Sequence, residues 1–161
     1  MGRGSREYLL AGCAVALAAL LVVLVYWSSR PPALAPGRAS WKLTPGVANP
    51  DVTQQTIAST ICVSGWSSSI RPDTGYTDAL KLDQMRQYGR AGSPSDYQED
   101  HLISLELGGH PTDPRNLWPE PYPRAADVDA IENELNDAVC SGRMSLDAAQ
   151  RKESALKHEK G

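Results

Sequence analysis

The chain has 161 residues, with 16 Lys or Arg against 19 Asp or Glu, which leaves room for one small domain plus accessory segments. Residues 31–161 hold 13 basic and 18 acidic side chains, a formal charge of −5. That balance excludes the basic surface run by which most nucleic-acid binders displace counterions. The three cysteines form no C-x-x-C pair, which excludes an ordinary structural zinc site.

Residues 8–27, from Tyr8 to Trp27, carry no charge and are rich in Leu, Val and Ala. At about 1.5 Å rise per residue such a run crosses a hydrocarbon core of about 30 Å, so it predicts a transmembrane helix. Arg3 and Arg6 precede it; basic flanks stay inside, which puts residues 1–7 in the cytoplasm and the rest of this single-pass chain on the extracytoplasmic side. The alternative is secretion after signal cleavage at Ala33-Leu34-Ala35, but the apolar run exceeds the roughly 7–15 residues of a signal core. Residues 28–50 contain five prolines and two glycines and read as a tether. Residues 51–161 are then the domain.

Within the domain, Asp51 can cap a short helix to about Ser59. A helix over 77–88 places Leu80, Met85 and Tyr88 on one face, with Gly89 positioned to end it. Prolines at 119, 121 and 123 break the chain, and a helix over 125–140 follows, its stripe being Val128, Ile131, Leu135 and Val139. Ser145 caps a last helix carrying Leu146, Ala149 and Leu156, whose charged tail over 151–160 is expected to fray and to leave His158 exposed. In an exported domain Cys62 and Cys140 are expected to pair as a disulfide.

Residues 97–120, YQEDHLISLELGGHPTDPRNLWPE, hold the densest chemistry. Asp100 and His101 sit on a predicted strand, Gly108-Gly109 permits a tight reversal, and Asn116 returns on a second strand 15 positions after His101. Adjacent strand residues point to opposite faces, so a bulge or a strong twist is needed if Asp100 and His101 are to serve one site. Imidazole titrates near neutrality, which suits His101 as a general base. Asp and Asn oxygens suit Mg²⁺ or another divalent ion that would neutralise a phosphate. Arg115 and Arg124 are the best-placed phosphate contacts by proximity in the chain.

Thr60-Ile61-Cys62, Arg71-Pro72, Asp100-His101-Leu102-Ile103, Asn116-Leu117-Trp118-Pro119-Glu120 and Val139-Cys140-Ser141-Gly142 together resemble a group of bacterial membrane-anchored or exported HNH-like proteins. The resemblance covers about residues 52–150. It implies an α+β fold, a small and mainly helical domain around a ββα-metal hairpin, with His101 as general base, Asp100 as metal ligand, and Asn116 as ligand or as the group that orients the histidine. HNH sites often add a His or Asn on the following helix, where this chain offers Glu120, Asp127 or Asp129. The group has Pro where Ser104 stands and a basic residue where Val128 stands.

The expected function is a metal-dependent endonuclease hydrolysing DNA or RNA, with no organic cofactor and an open oligomeric state. The alternative is a catalytically inactive exported HNH-like module that binds an envelope component. The missing histidine and the negative charge point toward it, and a purely local scaffold role for the hairpin would satisfy it.

Overall fold

A computed structural model describes residues 37–159 together with 16, 18–22, 24 and 25; for 123 and 125–127 only the backbone is described. The chain divides into two units, 1–33 and 34–161. In the first unit the described residues are helical. Most of the apolar run over 8–27, and the cleavage-like segment 33–35, lie outside the described residues. Among the described residues no helix is long and apolar enough to cross a membrane.

The second unit is α+β. Helix α1 spans Thr74–Tyr88. It starts three residues before the position expected because the Asp73 carboxylate accepts from Gly75 N at 2.7 Å, satisfying one of the orphan amides of the first turn. It stops at Gly89, which takes φ +63°. Strands β1 (Tyr97–His101) and β2 (Leu117–Pro121) pair antiparallel, with Asp100 opposite Trp118 and His101 opposite Leu117.

The connection between the strands differs from the expected tight turn. Leu102–Leu107 leaves the ladder, and Leu105–Leu107 forms a short 3-10 turn that Gly108 ends at φ +73°. Gly109 then pairs with Ala48 rather than reversing the chain. Leu102, Leu105 and Leu107 are buried from this irregular segment; burying each such side chain is worth about 1.5–3 kcal/mol, which favours the loop conformation over continued pairing.

Helix α2 spans Tyr122–Cys140, so it begins three residues ahead of the expected start. Proline was expected to break the chain here, but a first-turn proline lacks only an amide that would have no helical partner. Its stripe faces inward as expected: Leu135 and Val139 join Val52, Ile61, Ile103, Leu107, Leu146 and Ala149 in one core. Cys62 and Cys140 form a disulfide, with Cα atoms 5.5 Å apart, that ties this helix to the segment before α1.

Helix α3 spans Leu146–Glu159, capped by Ser145 through Ala148 N at 3.3 Å. Its charged tail is packed rather than frayed. Glu153, Lys157 and His158 are all buried. The His158 ring stacks on Trp41 with centroids 3.5 Å apart, and its nitrogens lie 2.7 Å from Ser154 O and 3.0 Å from Thr44 O.

That packing also moves the start of the domain. The tether expected over 28–50 is, from Ala39 onward, part of the fold. Ala39 N donates to Lys157 O at 3.0 Å, and the Tyr88 hydroxyl donates to Thr44 Oγ1, which donates to Leu117 O. The segment thereby links α1, α3 and β2, and Ala39 completes a second core cluster with Tyr88, Leu102 and Trp118.

Candidate active site

His101 ends β1 and is 5% exposed. Its Nε2 lies 2.9 Å from Pro111 O. A carbonyl can only accept, so Nε2 carries the proton and Nδ1 keeps its lone pair. Burial pushes the imidazole below its ordinary pKa, the Pro111 carbonyl and Asp100 oppose the shift, and the positive charges of Arg71 and Lys157 reinforce it. His101 is therefore a neutral base at pH 7.

Glu99 lies two residues back and so on the same side of the strand. Neither carboxyl oxygen has a hydrogen-bond partner. Burial raises its pKa to about 8, against the pull of Lys81 and with a further push from Asp100. Tyr76 feels the charge of Glu99 and donates to Thr112 O, in the loop that holds His101. His110 braces the same loop, its Nδ1 accepting from Thr112 N and Asp113 N.

Asp100 points the other way. Because β1 has no bulge in its pairing, alternation sends this carboxylate to Lys157, whose Nζ is 2.8 Å away. The same ammonium is 2.7 Å from Glu132 Oε1 and 3.3 Å from Glu153 Oε1, and it donates to His101 O. Burial alone would raise the Asp100 pKa, but Lys157 outweighs it and holds the carboxyl below the usual range. One ammonium cannot neutralise every neighbour. Burial and the Asp100 charge raise Glu120 to about 8, and burial raises Glu132 to about 9 despite Lys157.

Asn116 is fully buried and fully used. Its Oδ1 accepts from Val47 N at 3.2 Å and Ile103 N at 3.0 Å, while Nδ2 donates to Ile103 O and His110 O. It ties together the main chain at Val47, Ile103 and His110. Arg115 clamps Asp113 on the surface. Arg124 turns inward, with Nε 3.5 Å from Glu120 Oε1. Asp129 is exposed on the outer face of α2, and the side chain of Asp127 lies outside the described residues.

Asp100 and Asn116, as arranged, do not fit a metal ion. The Asn116 oxygen already accepts two amides, and Asp100 is held by an ammonium on the face of β1 opposite His101. Among the described residues no group of three or more His, Cys, Asp or Glu is disposed to hold one.

Sequence reasoning passed over Glu99, Glu132, Glu153 and Lys157 as members of this site, and counted Arg71 only among several scattered arginines. One signal was present for two of them. Leu146, Ala149, Glu153 and Lys157 recur at spacings of three and four, so both charges lie on the apolar stripe of their helix.

No protein-family model, no curated protein and no solved structure matches this chain.

Proposed function

We propose that this chain is an HNH-like phosphodiester hydrolase acting on DNA or RNA, with His101 as the base. The observation that carries the reading is the Nε2 bond to Pro111 O, which leaves a neutral imidazole with its Nδ1 lone pair available. In this reading Nδ1 takes a proton from water, the hydroxide adds to phosphorus, and the bond to the leaving oxygen breaks; that oxygen keeps the electron pair and takes a proton from solvent, and the imidazolium returns its own to solvent. General-base catalysis of this kind is worth about 10²–10⁴ in rate. The charge of Arg71, close enough to depress His101, faces the phosphate. Positive charge fixed in place before the reaction stabilises the additional negative charge of the transition state. No step is assigned to a divalent ion, since both expected ligands are engaged elsewhere.

The run over 8–27 serves as a single-pass anchor in this proposal, with the hydrolase outside the cytoplasm. The disulfide supports that side of the membrane, because such bonds persist in oxidising compartments.

A second reading, a non-catalytic exported module that binds an envelope component, is favoured by the low exposure of His101. One experiment separates them. The full chain, solubilised in detergent, is incubated with supercoiled plasmid and with RNA, with Mg²⁺ and with chelator, beside His101→Ala. Cutting that disappears in a variant of unchanged melting temperature supports the hydrolase; equal cutting by the variant sinks it.

A further inference from the structure

Four polar groups from three elements meet at a single atom beneath the hairpin. Lys157 Nζ, 0% exposed, is 2.8 Å from Asp100 Oδ2 on β1 and 2.7 Å from Glu132 Oε1 on α2. It also bonds to the main-chain oxygen of His101 and lies 3.3 Å from Glu153 Oε1, one turn back on α3. An ammonium has three donors and no acceptor, and Asp100, Glu132 and His101 O use all three.

Carboxyl and carbonyl oxygens are the donor type that hard cations take, although with Lys157 in place no group of three or more acids is disposed to hold a metal ion among the described residues. Glu120, on β2, adds a fully buried carboxyl on which the charges of Asp100, Lys157 and Arg124 all act, with Arg124 Nε 3.5 Å from its Oε1. Carboxyl groups gathered at one buried point ionise only where a cation sits among them, and otherwise keep their protons. Lysine supplies a compact point charge on a flexible stem. A divalent ion such as Mg²⁺ needs its oxygens at about 2.0–2.1 Å, so the ion and Nζ cannot share this point.

We propose that the Lys157 ammonium is the resident cation of the cage formed by Asp100, Glu120, Glu132 and Glu153, in the place a divalent ion would take. The wild-type chain therefore binds no divalent ion there, and its hydrolysis of phosphodiesters proceeds without one. Only the second half rests on the hydrolase reading. Through the bond to His101 O, Lys157 is also a positioning residue for the end of β1.

The test uses Mn²⁺ as the probe, followed by electron paramagnetic resonance and by thermal melting of the full chain in detergent. Wild type is compared with Lys157→Ala, which empties the cage, and with Lys157→Met, which removes the charge but fills the space. Mn²⁺ is expected to leave wild type and Lys157→Met unchanged. In Lys157→Ala it binds one per chain and raises the melting temperature by about 5 °C or more. If Lys157→Ala folds only when Mn²⁺ is present, the proposal is equally supported.

Mn²⁺ bound by wild type and lost in Glu132→Gln overturns the proposal. So does a Lys157→Ala chain that neither binds Mn²⁺ nor folds with it. Plasmid cutting by wild type should survive chelator, and cutting that chelator abolishes and Mg²⁺ restores refutes the second half. A chain that cuts nothing under any condition defeats the hydrolase reading, while the Mn²⁺ result still decides the cage.

Discussion

Asp100 and His101 are neighbours in the chain and work on opposite sides of β1. Asp100 reaches Lys157 at 2.8 Å, and His101 reaches Pro111 O at 2.9 Å. The Asp100 contact is buried and the His101 contact partly so.

Removing one partner of a buried ion pair leaves the other uncompensated, which typically costs about 3–5 kcal/mol. Lys157 keeps Glu132 at 2.7 Å, so Asp100→Ala is expected to lower stability by somewhat less, about 2–3 kcal/mol in urea melts. Its pKa lies below the unfolded value, so the stability it contributes is present above the ordinary Asp range and is lost as pH falls through it and below. A variant as stable as wild type at pH 7 would show that Lys157 does not depend on this carboxylate.

His101 and Glu99 shift stability with pH in opposite directions. The depressed imidazole binds fewer protons folded than unfolded, so its contribution falls as pH drops below about 6.5. Glu99, raised to about 8, holds its proton when folded; its favourable contribution is present below about 4.5 and disappears as pH rises to 8. Glu99→Gln should therefore gain on wild type between pH 5 and pH 9, by about 1–3 kcal/mol after discounting for partial exposure. Urea melts at the two pH values measure it, and an unchanged difference would refute the shift.

Gly109 is required by contact rather than by turn geometry. A Cβ there would lie 1.7 Å from Ile103 O and 2.7 Å from Asn116 Nδ2. Gly109→Ala should cost more than about 3 kcal/mol, because backbone must move. Asn116→Ala, which strands four main-chain groups, should cost a comparable amount. Gly89→Ala, at positive φ but with open space around it, should cost only about 1 kcal/mol. Equal losses at Gly89 and Gly109 in thermal melts would contradict this ordering.

The disulfide closes a loop with a sequence separation of 78. Chain entropy predicts about 4 kcal/mol from such a closure, a large part of the margin of a small domain. Cys62→Ser with Cys140→Ser should lose roughly that much in denaturant melts under oxidising conditions. A double variant as stable as wild type would mean that the unfolded chain is already confined.

Several features were legible because local chemistry fixes them. The apolar stripe of α2 follows from 3.6-residue periodicity, the start of α3 from the Ser145 hydroxyl, and the opposed faces of Asp100 and His101 from strand alternation. The pairing of Cys62 with Cys140 followed from there being two cysteines in a domain read as exported. The helix starts were displaced because Asp73 caps early and because prolines suit a first turn.

What only the tertiary structure decided is which charges are buried. Glu153 and Lys157 stand in a highly charged tail, where helical spacing alone describes a solvated face equally well. They are interior because β1 and α2 bring Asp100 and Glu132 to the same point, across 57 and 25 residues of chain. The sequence by itself determined which polar side chains the hairpin carries and on which face of β1 each stands. The fold assigned them: Asn116 to the loop, Asp100 to an ammonium, and His101 to a carbonyl, since a buried polar group is stable only where the surrounding elements supply its partner.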